Sequence, residues 1–474
     1  MRRSIVVALR MSSPRLAVAG LSGDSGKTLL SLGLARSLRD RGLDVRTAKK
    51  GPDYFDAAWL AAASGTGCVN LDTFMMSREG IGLGAQALEG ADIVLVEGNR
   101  GLFDGVDADG THSTAELAKL LGSPVLLIVD VTKSTRTVAA QVLGCQTLDP
   151  QLLLGGVILN RVGTARQEAL VRSAVEQITG LPVLGAIPRL AGDDPLPGRH
   201  LGLVTVAEHP DGERAIVRAA EEVARHVDLE RVLELAASAP VVELPLMELD
   251  LQPRSCRLGY LADPAFSFYY PENLENLRRQ GAELVPVTPG AEAALPGIDG
   301  LYIGGGFPEL HAERLADDRS LCEELRAQAA AGLPIYAECG GLMYLARELI
   351  VQGSSYRMAS VLDLVVEQTP RPQGHGYEVA TVDRSNPFFP TGSTLVGHEF
   401  HYSRVVGGAD APATVLAVER GRGTGAERDG IVKGSVWASY LHLHSLATPH
   451  WAEGFLALAS RFAAQRAGTA AAWA

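Results

Sequence analysis

Gly20-Leu21-Ser22-Gly23-Asp24-Ser25-Gly26-Lys27-Thr28 decides how the first half of the chain is read. The segment ends the apolar run Leu16–Gly20 and opens the helical stretch Thr28–Arg41, so it joins strand to helix through a glycine-rich loop. Such a loop cradles phosphate. Gly26 lets the backbone come close, and the helix N-terminus presents unpaired N–H groups and the positive end of its dipole. Lys27 can reach the β- and γ-phosphates of a nucleotide, and the Thr28 hydroxyl can ligate Mg²⁺. Five residues separate Gly20 from Gly26, one more than usual, which makes the loop a variant. The plain alternative is a turn that only connects strand to helix; the strand–loop–helix context favours nucleotide binding.

Outward from the loop, apolar runs alternate with helix-length segments. Ile93–Glu97, Val125–Asp130, Val157–Asn160 and Val183–Ile187 join Leu16–Gly20 as buried strands of a parallel sheet with crossover helices. The carboxyl ends of such strands form the ligand edge, the same edge as the phosphate loop. A phosphate loop needs acidic groups to hold its metal. Glu97, closing Ile93-Val94-Leu95-Val96, is one expected ligand, and Asp53 of Lys49-Lys50-Gly51-Pro52-Asp53-Tyr54 is the other. Asp53 could instead cap the turn after Gly51-Pro52. One of Lys49 and Lys50 is expected to hold an anionic substrate.

The helical stretch Asp211–Ser238 gives way to Ala239–Arg254, rich in Pro, Leu and Glu and without a clear period, which reads as a linker. The expected domains are residues 1–238, a linker at 239–254, a second unit at 255–450, and a C-terminal helix with an Ala-rich tail at 451–474. Strand-like runs restart at Arg257–Leu261, Glu283–Pro286, Gly300–Ile303 and Pro334–Ala337, so the second unit is also α/β. The last run leads into Glu338-Cys339-Gly340-Gly341 and a helical pattern. This is a nucleophile elbow: a sharp turn lifts the side chain above the sheet, and the helix N-terminus is expected to lower the thiol pKa. Cys339 is therefore the candidate nucleophile, while Cys68, Cys145, Cys256 and Cys322 read as inert. A thiolate needs a base. His442 and His444 follow the apolar segment Ser439-Tyr440-Leu441; with no further ligands at metal spacing, a Cys339–His442 pair is a better reading than zinc. The N–H groups of Gly304, Gly305 and Gly306, after the strand Leu301–Ile303, could form an oxyanion hole. Gly397-His398-Glu399-Phe400-His401-Tyr402 is a further histidine segment without an assigned task.

The bulk properties narrow the function. A chain of 474 residues suggests two to three domains, and 46% hydrophobic with 21% charged residues is an ordinary globular balance. A net charge of −12 provides no broad basic field, so no nucleic-acid partner is expected. No apolar run approaches the roughly 18 to 20 residues of a membrane helix, and Ile5–Leu9 after Met1-Arg2-Arg3-Ser4 is too short for a signal peptide. Five scattered cysteines without a CxxC pair point to a reducing cytoplasm.

These segments, in this order, resemble the cobyrinic acid a,c-diamide synthase family. Further marks are Asn70-Leu71-Asp72-Thr73, Gly98, Gly101-Leu102-Phe103-Asp104-Gly105 and Ser113-Thr114-Ala115-Glu116, so the resemblance covers nearly the whole chain, from Arg15 to Leu456. It implies an α/β protein with an N-terminal P-loop domain of the dethiobiotin synthetase type, built on a parallel sheet, and a C-terminal class I glutamine amidotransferase domain of flavodoxin-like fold. It implies an ATP-dependent carbon–nitrogen ligase with L-glutamine as amido donor and a tetrapyrrole polycarboxylate as substrate. Cys339, assisted by His442, would take ammonia from glutamine in a pocket lined by Gly304, Gly305 and Gly306. ATP would activate a carboxylate as an acyl phosphate for the ammonia to displace. Carried over by position, Gly26, Lys27, Thr28, Asp53 and Glu97 would hold ATP and Mg²⁺, and Asn160 would contact adenine. Lys49, Tyr54 and Asp72 would lie near the carboxylate being activated. Class I relatives carry a Glu two residues after the histidine, where this chain has His444. Cobyrinic or hydrogenobyrinic acid is the expected substrate. Lys50, Ala57, Phe74 and Gly98-Asn99-Arg100-Gly101 depart from the common motif and keep a sirohaem or nickel-sirohydrochlorin relative open. A homodimer is the candidate assembly. Two rivals are weaker: a partitioning ATPase carries an early signature Lys where Leu21 and Ser22 stand, and a tetrapyrrole carrier has no use for the Cys339 elbow.

Overall fold

The computed structural model describes residues 8–190, 198–199, 202–203, 209, 211–246, 255–289, 295–407, 413–448 and 450–472. Most of the N-terminal apolar run and residues 247–254 of the expected linker lie outside the described residues. The chain divides into two units, Met1–Glu248 and Leu249–Ala474.

In the first unit the elements run β1 (Ala8–Met11), β2 (Arg15–Gly20), α1 (Lys27–Asp40), β3 (Val45–Lys50), α2 (Tyr54–Ser64), β4 (Cys68–Leu71), β5 (Ile93–Gly101), β6 (Val125–Asp130), β7 (Leu154–Val162) and β8 (Val183–Pro188), with helices in the longer connections. A seven-stranded sheet forms in the order β4-β3-β5-β2-β6-β7-β8, and every pairing in it is parallel. Both faces are covered, so the strands read as continuous apolar runs. β3 is the exception: Val-Arg-Thr-Ala-Lys-Lys has no apolar run to reveal it, yet it lies between β4 and β5 and carries both lysines inward. α1 buries Leu30, Leu34 and Leu38, and its Gly33 permits close packing against helix Gly212–His226. A methyl on Gly33 would meet Val223 Cγ2 at 2.3 Å and Ala219 O at 2.6 Å.

Part of the stretch read as a linker is a strand. Val242–Pro245 pairs antiparallel with β1. The buried guanidinium of Arg15 fastens it there, donating to Leu121 O at 2.6 Å, Ser13 O at 3.0 Å and Pro240 O. A four-residue strand defined by a partner far away in sequence has too little period to be seen locally.

The second unit has a ten-stranded mixed sheet. Its first five strands are parallel, in the order Ala282–Val287, Cys256–Leu261, Gly300–Ile303, Ile335–Glu338, Val436–Ser439. Antiparallel strands, among them Gly374–Val382 and Thr394–His401, extend it to His442–Leu443 at the far edge. A smaller four-stranded sheet includes Glu348–Val351 and Ser403–Gly407. On one side of the main sheet Tyr302, Tyr336, Phe388, Trp437 and Phe455 pack with Trp451, the first residue of the helix Trp451–Ala472.

Candidate active sites

The phosphate loop leaves β2 and enters α1. Gly26 has φ +98°, a backbone state that side chains resist, and a methyl there would strike Asn160 Nδ2 at 2.1 Å. Ser25 Oγ and Lys27 Nζ both donate to Ser22 O, at 3.1 and 2.9 Å, so the loop is closed on itself. Burial, then the charge of Lys49, holds the Lys27 ammonium below its usual pKa. Thr28 Oγ1 donates to Glu97 Oε1 at 3.0 Å. Glu97 is buried, and its Oε2 has no hydrogen-bond partner among the described residues.

Lys49 lies inside this cluster, 2% exposed. Its Nζ donates to Asp56 Oδ2 at 2.5 Å, to Glu97 Oε1 at 2.8 Å and to Gly98 O at 3.3 Å. Asp53 caps α2, accepting from Phe55 N at 2.8 Å and Asp56 N at 3.0 Å through Oδ1. Burial, and next the neighbouring Asp56, push its carboxyl up to about 7. Burial likewise raises Glu97, with Lys49 opposing. Three carboxylates thus surround one ammonium. A hydroxyl beside an orphaned buried carboxylate oxygen is a donor set that suits a hard divalent cation, so these residues fit Mg²⁺. The sequence reading missed Asp56, although an acid three residues beyond a helix-capping Asp was a usable signal.

The other expected residues divide. Asn160 Nδ2 donates to Ser25 O at 2.8 Å and ties β7 to the loop. Tyr54 starts α2, half-buried. Asp72 is buried, its Oδ1 accepting from Phe74 N and Met75 N, with Lys50 Nζ 3.4 Å from its Oδ2.

In the second unit, Ile335–Glu338 runs beside Val436–Ser439, with Glu338 opposite Ser439. Cys339 N donates to Ser439 O at 2.7 Å and the chain turns there at φ +47°, ψ −98°, a strained state for a non-glycine residue. A methyl on Gly341 would meet Ile303 O at 2.6 Å, so the glycines after the thiol leave needed space. Cys339 directly follows Ile335–Glu338, and His442 comes three residues after the adjacent strand Val436–Ser439. Gly305 lies against the imidazole: a methyl on it would meet His442 Cε1 at 2.4 Å. The ring stacks on His398, centroids 4.8 Å apart at 17°.

Two expectations change here. Cys339 is 3% exposed, and burial, then Glu309, raises its thiol well above the usual range instead of lowering it. The helix it caps has only six residues, and desolvation outweighs its dipole. Gly304 cannot serve an oxyanion, because its N–H already donates to Tyr269 Oη at 2.9 Å. The Gly306 N–H lies by the elbow instead; a methyl on Gly340 would meet Gly306 N at 2.9 Å. His442 and His444 face different carboxylates: His442 Nδ1 is 3.8 Å from Glu338 Oε2, and His444 Nε2 is 3.5 Å from Glu272 Oε2. Burial, then His401, lowers His442 to about 3, so thiol and imidazole are both neutral at rest.

Residues 16–204 match the profile of the CobQ/CobB/MinD/ParA nucleotide binding domain, and residues 257–450 that of the CobB/CobQ-like glutamine amidotransferase domain. A cobyrinate a,c-diamide synthase of Magnetococcus marinus is 43% identical over 447 residues, covering 93% of this chain and 96% of that protein. The chain belongs to the cobyrinate a,c-diamide synthase family. A family member from Archaeoglobus fulgidus is 41% identical over 454 residues, 94% of this chain and 98% of its own. One from Listeria monocytogenes is 39% identical over 435 residues, 91% and 96% respectively. As a member of the cobyrinate a,c-diamide synthase family, the chain is an enzyme that joins a nucleotide-binding unit to a glutamine amidotransferase unit, in the α/β fold expected for each. Among the described residues of this cobyrinate a,c-diamide synthase family member, no helix is long and apolar enough to cross a membrane.

Proposed function

We propose that this enzyme amidates the a and c acetate carboxylates of cobyrinic or hydrogenobyrinic acid, with ATP as activator and glutamine as nitrogen donor. The reading rests above all on one chain carrying a phosphate loop that faces the half-satisfied Glu97 together with a thiol elbow at Cys339. A relative 43% identical across 93% of the chain, named cobyrinate a,c-diamide synthase, supports that substrate.

A carboxylate is a poor electrophile, and phosphoryl transfer from ATP provides the leaving group it lacks. Lys27 and the N–H groups around Gly26 bind the ATP phosphates, and Asn160 flanks the nucleotide. Thr28, Asp53 and Glu97 would hold Mg²⁺, which offsets phosphate charge when bound. Lys49, Tyr54 and Asp72 stand on the substrate side in this reading, Lys49 keeping the acidic cluster compact. Ammonia attacks the acyl phosphate, phosphate leaves, and the carboxamide remains.

In the second unit the Cys339 sulfur attacks the glutamine side-chain carbonyl carbon as His442 takes the thiol proton. That proton goes to the departing ammonia. The N–H groups of Gly305 and Gly306 receive the oxyanion. Water, with His442 again as base, cleaves the γ-glutamyl thioester to glutamate. Because thiol and imidazole are both neutral at rest, proton transfer accompanies attack, and the closed site holds no standing thiolate.

The test is a mass-spectrometric assay of purified protein with Mg-ATP, glutamine and, in parallel, cobyrinic acid, hydrogenobyrinic acid, sirohaem and nickel-sirohydrochlorin. Two amidations of a cobyrinate are expected; amidation of sirohaem alone would reassign the substrate. Cys339→Ala should abolish glutamine use and spare amidation from ammonium, whereas Lys27→Ala should abolish both. Loss of ammonium-dependent amidation in Cys339→Ala would overturn the two-site scheme.

A further inference from the structure

His442 needs a fixed tautomer to act as a base, and His444, two residues on, does not supply a partner for it. His444 Nδ1 accepts from Leu446 N at 3.1 Å, and its ring packs on Tyr270, centroids 4.3 Å apart. The carboxylate on the Nδ1 side of His442 is Glu338, with Oε2 at 3.8 Å and both side chains at most 2% exposed. Glu338 is held from three sides. Tyr302 Oη donates to Oε2 at 3.0 Å, Tyr336 Oη to Oε1 at 3.3 Å, and Leu443 N to Oε1 at 3.2 Å. Leu443 follows His442 directly, so one carboxylate anchors the backbone beside the imidazole and faces its ring. His398 stacks on the imidazole and His401 acts on it electrostatically, and neither carries a negative charge.

We propose that Glu338 is the positioning carboxylate of the glutamine site, orienting His442 with its proton on Nδ1 so that Nε2 is the base for Cys339. The inference rests on the reading of Cys339 and His442 as the glutamine-hydrolysing pair. When Nε2 takes the thiol proton, the imidazolium stands beside Glu338, and the proton then passes to ammonia. The 3.8 Å contact is longer than a hydrogen bond. Such contacts commonly tighten once substrate is bound. Burial works against the charge and pushes Glu338 up to about 8, while its three donors favour the carboxylate. The sequence signal was present but easily overlooked: an acid immediately before the nucleophile, on a fully buried strand.

Glu338→Gln keeps the shape and removes the charge. It should lower kcat for glutamine hydrolysis by about 100-fold or more, the usual worth of a positioned base. KM for glutamine and ammonium-dependent amidation should stay near wild type, and Glu338→Asp should recover part of the loss. The acid limb of the kcat/KM profile should move to lower pH in Glu338→Gln, because an imidazolium without its carboxylate forms less readily. A readout independent of that variant's folding is the ¹⁵N spectrum of wild-type protein labelled at histidine, with His442→Gln to assign the signal; the Nδ1–H tautomer is expected. An Nε2–H tautomer, or Glu338→Gln with wild-type kcat and pH profile, overturns the proposal. Glutamine hydrolysis that survives Cys339→Ala would instead sink the underlying reading, and the proposal with it.

Discussion

Gly305→Ala tests whether the thiol site works by the position of His442. The added methyl would stand 2.4 Å from His442 Cε1 and 3.3 Å from Nε2, where ordinary contact begins at 3.4 Å. The imidazole must therefore retreat by about 1 Å to restore normal packing. It has little freedom to do so, because His398 stacks on it and Glu338 closes the Nδ1 side. Gly305 is pinned as well, its carbonyl accepting from Phe268 N at 3.0 Å. A misplacement of about 1 Å at a reacting group costs about 100-fold in rate. At 1.36 kcal/mol per decade, that is about 2.7 kcal/mol of barrier. Glutamate release and ammonium-dependent amidation would be measured on the same preparation. The first should fall about 100-fold, mainly in kcat, and the second should be unchanged. Gly407→Ala is the control, since nothing lies within 4 Å of a methyl there. Wild-type glutamine hydrolysis by Gly305→Ala would refute the assignment of His442 as the base.

Two further outcomes follow from buried charge. Lys49→Met leaves Asp56 and Glu97 without their shared ammonium and should destabilise the first unit by about 3–5 kcal/mol, read as faster amide exchange over Val45–Ser64. Asp53 and Glu97 are already raised by burial, and loss of Lys49 raises them further. The folded state then holds protons that the unfolded chain releases above about pH 4, so the penalty should grow from pH 5 to pH 8. Unaltered exchange, or a penalty that shrinks with rising pH, would reject the ion cluster. Because burial raises the Cys339 thiol, its alkylation by iodoacetamide at pH 7.5 should be slower than that of a free cysteine and still be climbing at pH 9. A plateau at neutral pH would show a low-pKa thiolate and contradict the neutral resting pair.

Much of both sites was legible because their geometry is local. Gly26-Lys27-Thr28 and Cys339-Gly340-Gly341 each specify a strand-to-helix turn within a few residues, and the backbone there has few other choices. Glu97 could be placed because four apolar residues lead into it along one strand. β3 was not legible, since its lysines are buried by partners that lie elsewhere in the sequence. Nor was the strand Val242–Pro245, which exists only by pairing with Ala8–Met11.

By itself, the order of residues determined the fold class, the two-unit plan, the phosphate loop and the thiol elbow, all of which follow from short-range backbone preference and apolar period. Tertiary structure alone decided the electrical state of those sites. It brought Asp56 to Lys49, set Glu338 beside His442 and spent the Gly304 N–H on Tyr269. It also sealed Cys339 from water, reversing the direction in which the helix end would have moved the thiol. Desolvation and pairing energies depend on what surrounds a group in three dimensions, and those neighbours come from distant strands.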